Sequence, residues 1–457
     1  MFDVKGWINR HPICLFLPVI IIAGCTLTHI VLVTTGVPLA DEWRWMQRLL
    51  IPYINGEIGF WQYLTGEYAL FSHTHYSTLL FMLGSYFWGD LDYSLMAWFG
   101  LVGYVGAWLL LIFYTASLIR EKEKWLQYVC FLIITAAYFS PFSDFPWALV
   151  VFEYIFYFMA IALLCVYDAS LYKKTQFRYC LAAMVLVLFA ADTPGLMAAL
   201  TLLSCSAVLS VLGRESWLRP FSILVVIITF FLFHYLLLGK GIGGNYPLSV
   251  SLAALLKEPA AFISSLVLFF SQGLWVKYLM VSLFGEKFRL MQGLLGGVGI
   301  ALFLWSMFIY FRNQGYKTTQ LPFLLATLAL VAWFTILTSR YLNHGIYIFD
   351  DQRFVRYGIP FYLAAAIALS FAKVHLEKLV VLAAAVFMTG IYSVAMYAEN
   401  QRRMSVIEYF ENAKTELYRD VLDPEGLANR LPHCTNGLCE PSIMFMRERQ
   451  LSIFSKD

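Results

Sequence analysis

The feature that most constrains this chain is a succession of eleven long apolar runs, most of them near twenty residues, divided by short polar connections. A helix needs about 20 apolar residues to cross a hydrocarbon layer some 30 Å thick. The runs fall near 13–34, 91–119, 126–139, 147–171, 177–191, 196–212, 220–238, 290–311, 321–338, 357–372 and 379–397. They predict an all-α, polytopic membrane protein with about eleven transmembrane helices. A membrane barrel would instead show alternating strands of about ten residues. Charged residues make up 13% of the chain and hydrophobic ones 60%, with a mean hydropathy of +0.70. A soluble domain carries about 25% charge, so this composition excludes a cytosolic enzyme, a nucleic-acid binder and a disordered chain. The net charge of +3 points to no polyanionic partner. Lys5 and Arg10 precede the first run, and no small-x-small site stands before Asp41, so that run reads as an uncleaved anchor.

Two further apolar stretches fit less simply. Residues 76–88 are too short to span with ease, and 252–284 reads as a span, a hairpin or an interfacial helix. If neither crosses, every basic cluster lands on one side: Lys5/Arg10, Arg120/Lys122/Lys124, Lys173/Lys174/Arg178, Arg214/Arg219, Arg312/Lys317 and Lys373/Lys378. The stretches around Asp41, Asp144, Asp192 and Asp350 land on the other. The positive-inside rule then puts the N-terminus in the cytoplasm and the tail outside. The expected organisation is a membrane module over 1–397, with a first outer loop at 36–90, and a small outer segment over 398–457. Short helices are expected at 41–53 and 58–65. The tail carries 8 Lys/Arg and 10 Asp/Glu of the chain's 61 charges, which marks the change in composition. It is expected to hold an amphipathic helix at 408–418 and a strand-like end at 451–454, and to rest on the outer face of the bundle.

Six cysteines lie in or beside apolar runs and read as small buried hydrophobes. Cys434 and Cys439 flank an Asn-Gly turn in the tail, which suits a small disulfide loop in an oxidising compartment. A metal site there is the weaker alternative, because His433 is the one close extra ligand.

The polar residues of the outer side form three groups. Asp41-Glu42 follows the first run; such a pair can accept a hydroxyl proton or hold a divalent cation, or simply suit a helix N-terminus. Trp43 beside it, with Trp45 and Trp61, could stack on a sugar or belong to the interfacial aromatic belt. Glu67 with His73 and His75 offers two ligands and a carboxylate, fit for an acceptor, a metal or a hydrogen-bonded loop. Asp144 and Glu153 follow, the first in a proline-flanked outer loop and the second just inside a span, where a carboxylate is costly and faces a polar cavity or a partner. The third group is Asp350-Asp351-Gln352-Arg353-Phe354-Val355-Arg356-Tyr357, ahead of a late span. Arginines on the outer side run against the charge rule. Their planar forks suit phosphate oxygens, with pairing to Asp350 or Asp351 as the alternative.

On these residues the chain resembles the GT-C glycosyltransferases, membrane enzymes that use polyprenyl-phosphate sugars. The shared features are the acidic pair after span one, a long first outer loop with short helices, the stretch Glu67–His75 leading into a helix that need not cross, the outer acid Asp144, and the late pair Arg356-Tyr357 opening a span. The histidine stretch departs from the family pattern. Within the class it resembles bacterial members, uncharacterised or O-antigen-modifying, that also carry a C-terminal outer tail. The resemblance implies that Asp41 is the base, assisted by Glu42 or Asp144, and that Arg353, Arg356 and Tyr357 hold the donor phosphate. Glu67, His73, His75, Trp43 and Glu153 would face the acceptor or the sugar, with a divalent metal ion as an optional participant. The implied partners are a polyprenyl-phosphate-linked sugar, a glycan, lipid or protein acceptor, and the bilayer, with no nucleic acid. The implied place is a bacterial inner membrane with a periplasmic tail, which the lack of an Asn-x-Ser/Thr sequon suits. A secondary transporter is the main alternative, but it would show midplane charges and paired halves. A polysaccharide polymerase or ligase acting on a lipid carrier is the other.

Overall fold

The computed structural model describes residues 12–34, 41–65, 76–118, 124–139, 152, 154–172, 176–238, 248–272, 274, 277–350, 356–418, 439–451 and 454. In chain order its helices are α1 (Pro12–Val33), α2 (Asp41–Trp45) running into a π-helical turn (Met46–Leu50) and α3 (Ile51–Ile54), α4 (Phe60–Thr65), α5 (Tyr76–Trp88), α6 (Tyr93–Leu118), α7 (Lys124–Phe139), α8 (Tyr154–Tyr172), α9 (Phe177–Ala190), α10 (Asp192–Val211), α11 (Leu218–Leu238), α12 (Leu248–Lys257), α13 (Pro259–Gln272), α14 (Lys277–Phe284), α15 (Phe288–Arg312), α16 (Leu321–His344), α17 (Ile359–Leu369), α18 (His375–Leu417) and α19 (Glu440–Arg449). No strand occurs among the described residues.

Among the described residues eight helices are long and apolar enough to cross a membrane: α1, α6, α8, α10, α11, α16, α18 and the run Leu279–Arg312 that ends in α15. Three shorter apolar helices, α7, α9 and α17, coincide with the remaining expected runs. The chain is a polytopic helical membrane protein. Pro322 and Pro360 sit in the first turns of α16 and α17, where the missing N–H costs no helical bond. Gly345 closes α16 with φ +60°, a backbone conformation that side-chain-bearing residues rarely adopt.

Packing sets the direction of each helix. A Cβ on Gly103 would run into Ile155, one on Gly106 would meet Phe158, and Tyr114 bonds Asp168, so α6 and α8 run parallel. Trp108 donates to Thr135 and Gln127 to the Ala116 carbonyl, so α7 runs against α6. Thr26 pairs with Tyr392 and His29 lies 3.8 Å from Glu399, so the first and last spans are parallel. Among the described residues the turns at 212–217, 313–320 and 370–374 share one end of the bundle, which we call the basic end. The opposite end carries Asp41, Asp192 and Asp350 and is called the acid end.

The stretch left open by the sequence resolves as a re-entrant element. α12 and α13 meet at a 100° bend. α13 then descends antiparallel to α16, with Tyr341 donating to Glu258 at its top and Trp333 packed on Phe262 and bonded to Ser265 below. Val267 abuts Gly296 and Phe270 faces Phe303, so α13 runs parallel to α15. Two consecutive parallel helices require the chain between them to return to its starting end. Residues 258–288 therefore begin and end at the acid end.

The basic end is tied shut by buried carboxylates. Asp168 accepts from Tyr114, from Thr319 Oγ1 at 2.5 Å and from the Gln320 N–H at 2.5 Å. Glu215 accepts from Tyr167, Ser206 and Arg219. Glu377 accepts from Asn313 and from the backbone N–H groups of Lys373 and Val374.

The tail departs from expectation in two ways. The helix expected at 408–418 is not separate: α18 is one helix of 43 residues, about 65 Å long, that continues straight through the change in composition. Of the strand-like end expected at 451–454, residues 451 and 454 are among the described residues, and neither lies in a strand. Gln450 turns left-handed after α19, and Phe454 lies in a 3₁₀ turn where it packs on Tyr418. α19 rests on the π-helical turn, and its Arg449 donates to Tyr86 at 2.8 Å while Phe445 stacks on the same ring. α19 thus covers the π-helical turn and α5.

Candidate functional site

The acid end is roofed by short elements. α5 runs across the ends of the spans, pairing Tyr76 with His234 of α11 at 2.8 Å, packing Phe81 on Phe99 of α6 and on Phe152, and meeting α19 through Tyr86. Tyr63 of α4 donates to the Leu79 carbonyl at 2.6 Å, and burial pushes its phenol far above the ordinary value, so it stays a donor.

Under this roof α2 begins at Asp41. Glu42 is 1% exposed and lies within electrostatic reach of the Tyr93 phenol at the top of α6. Trp43 is wholly buried, so in this arrangement its ring has no free face for sugar stacking, one of the two roles its sequence position left open. What Trp43 retains is an indole N–H with no hydrogen-bond partner. Trp61 of α4, by contrast, is 62% exposed and presents its ring outward.

Arg356 occupies the start of the short span α17 and is 6% exposed. Its guanidinium carbon lies 5.8, 5.7 and 5.4 Å from the ring centres of Tyr154, Tyr157 and Tyr357. A desolvated cation–π contact contributes up to about 2 kcal/mol, and three rings make a cage that keeps the charge in a dry setting. Tyr157 and Tyr357 also line a very small apolar cavity together with Ala160, Pro194, Met197, Leu328, Ala332 and Pro360, and Arg356 is not in its lining. Glu42 does not line it.

The two groups share an end of the bundle but not a level. Tyr154 packs on Tyr104, 4.6 Å between ring centres, and Tyr104 and Tyr138 each donate to the other's backbone carbonyl. Tyr104 follows Tyr93 by eleven residues of α6, which is roughly 16 Å of helix. Arg356 therefore sits some three turns deeper than Glu42.

The other residues singled out above are distributed as follows. Glu67, His73, His75, Asp144, Glu153, Arg353 and Cys434 lie outside the described residues, as does the side chain of Asp41. Cys439 is disulfide-bonded. Among the described residues no three His, Cys, Asp or Glu side chains are grouped to hold a metal. Sequence reasoning missed Tyr154 and Tyr157, which read only as span residues, and the pairing of His234 with Tyr76. Their one visible signal is polar aromatic content at the first turn of a span. The chain matches no protein-family model, no curated relative and no solved structure.

Proposed function

We propose that this protein is a GT-C-type glycosyltransferase that moves a sugar from a polyprenyl-phosphate carrier to a hydroxyl acceptor on the periplasmic face of a bacterial inner membrane. The observation that carries the reading is Arg356, a buried cation among three tyrosine rings, two of which also line a small apolar cavity. Ionisable groups inside membrane helices are expensive and tend to be functional. A buried cation at the start of a membrane helix suits an amphiphile with an anionic head.

In this reading the acceptor oxygen attacks the anomeric carbon while the bond from that carbon to the phosphate oxygen breaks. Asp41 takes the acceptor proton, and polyprenyl phosphate leaves with the electron pair. Arg356, with Arg353, stabilises the charge that grows on the leaving phosphate. A single displacement inverts the anomeric centre. Glu42 and Asp144 orient the acceptor, and the depth offset between Glu42 and Arg356 leaves room for the donor sugar between them. A divalent ion at the acid pair is compatible with the same step.

The basic end supports an enzyme over a transporter. Alternating access opens a site to both sides in turn, and here Asp168, Glu215 and Glu377 bind the loops of one end together. The test is turnover in nanodiscs with synthetic undecaprenyl-phosphate hexoses and pentoses, read as free undecaprenyl phosphate. Arg356→Gln and Asp41→Asn should each lose at least 100-fold, the scale on which one stabilising group acts. Wild-type rates in both variants, at normal protein levels, would remove the proposed site.

A further inference from the structure

The acid end holds a second set of groups that the proposed chemistry does not use. Trp43 Nε1 and Gln47 Oε1 are both buried and have no hydrogen-bond partner. They stand four residues apart, which places them on one face of the helix in successive turns. Gln47 lies in the π-helical turn Met46–Leu50, and such turns recur at functional sites. Ser85 Oγ of α5 and Ser442 Oγ of α19 are likewise buried without a partner. α19 packs against both the π-helical turn and α5. Three elements linked through α19 thus carry four unsatisfied polar atoms, two of them on the helix that begins at Asp41 and Glu42.

The inventory selects the ligand. Trp43 offers a donor alone, Gln47 an acceptor oxygen, and the serines one donor and acceptor each. A sugar hydroxyl both donates and accepts, and so pairs with Trp43 and Gln47 at once. An anion gains nothing from the Gln47 oxygen, and a cation nothing from the indole N–H. An apolar group would leave all four atoms unsatisfied. We infer that the seam between the first outer loop, α5 and α19 binds a neutral polyhydroxyl group, the accepting sugar of a glycan, with Trp43 and Gln47 as specificity-determining residues. Trp43 is fully enclosed, so binding requires α19 to lift. The inference rests on the transferase reading only in naming this sugar the acceptor.

The test measures binding of the purified full chain to a printed array of neutral glycans. Trp43→Phe keeps the ring and deletes only the N–H, and Gln47→Leu deletes the acceptor. Expected is retention of one or more neutral glycans by the wild type, weakened at least 10-fold by each change. Both variants should unfold at or above the wild-type temperature, because each removes an unsatisfied buried group. Glycan signals unchanged in both variants would mean an ordered water only between these atoms, and would overturn the inference. So would a wild type that retains no neutral glycan. Undecaprenyl-phosphate binding by the wild type and by Arg356→Gln is measured alongside. Its loss in Arg356→Gln together with a negative array sinks the acceptor seam alone. Its absence from the wild type sinks the donor reading and leaves the array result to stand by itself.

Discussion

Asp168, in the last turn of α8, accepts the Thr319 hydroxyl at 2.5 Å across 151 residues of chain, and its other oxygen takes the Gln320 N–H. The bond fastens α8 to the start of α16. With Tyr114 it joins three spans at the basic end.

Removing that carboxylate leaves several buried donors unsatisfied, at about 1–3 kcal/mol each. Asp168→Ala should therefore lose roughly 3 kcal/mol or more, seen as a clear drop in thermal unfolding temperature in detergent. Asp168→Asn keeps one acceptor oxygen and should fall between. Equal stability of all three proteins would show that the network is not holding the basic end together.

Two glycines of α15, three residues apart, have opposite roles. A Cβ on Gly296 would collide with the Val267 carbonyl of the re-entrant α13, whereas one on Gly293 meets nothing within 4 Å. Gly296→Val should cost about 1–3 kcal/mol by overpacking. Gly293→Ala should be neutral or gain up to about 1 kcal/mol in helix propensity. Unfolding of both variants in one detergent distinguishes them, and a reversed order would discredit the packing of α13 on α15.

The return of residues 258–288 to one end predicts a labelling pattern. Single cysteines at Glu258 and Glu286, both exposed, should react with a membrane-impermeant maleimide from the same side. A cysteine at the exposed Lys317 should react only from the other. Labelling of 258 and 286 from opposite sides would turn the element into a full crossing and invert every later span.

The cage around Arg356 makes its chemistry specific to a guanidinium. Arg356→Lys keeps the charge but loses the planar fork and its stacking on rings. Undecaprenyl-phosphate binding should weaken by about 10-fold or more, given that each 1.4 kcal/mol is tenfold. Tyr157→Leu removes one ring of the cage and should weaken binding by a few-fold, consistent with about 1 kcal/mol for one cation–π contact. Fluorescence-detected titration of nanodiscs checks both.

Hydropathy alone made the class of fold legible, because the cost of leaving a backbone polar group in hydrocarbon admits so few solutions. The eleven runs correspond to eight long helices and three short ones. Charge placement along the chain also anticipated which turns share an end. Both signals are local, since each needs only the residues of one segment and its flanks.

The tertiary structure decided what depends on partners distant in the chain. Whether 252–284 crosses rests on Val267 meeting Gly296 and Glu258 meeting Tyr341, contacts that no periodicity encodes. The change in composition at residue 398 suggested a boundary, yet α18 runs on unbroken, because helix continuity is set by backbone bonds and not by polarity. Arg356 was visible as a misplaced charge. Its burial among Tyr154, Tyr157 and Tyr357 was not, since these residues converge only when α8 and α17 pack. From the sequence Trp43 could be a sugar-stacking ring or part of the interfacial belt, and it is enclosed, because its exposure is set by how α2 packs beneath its neighbours and not by its own sequence.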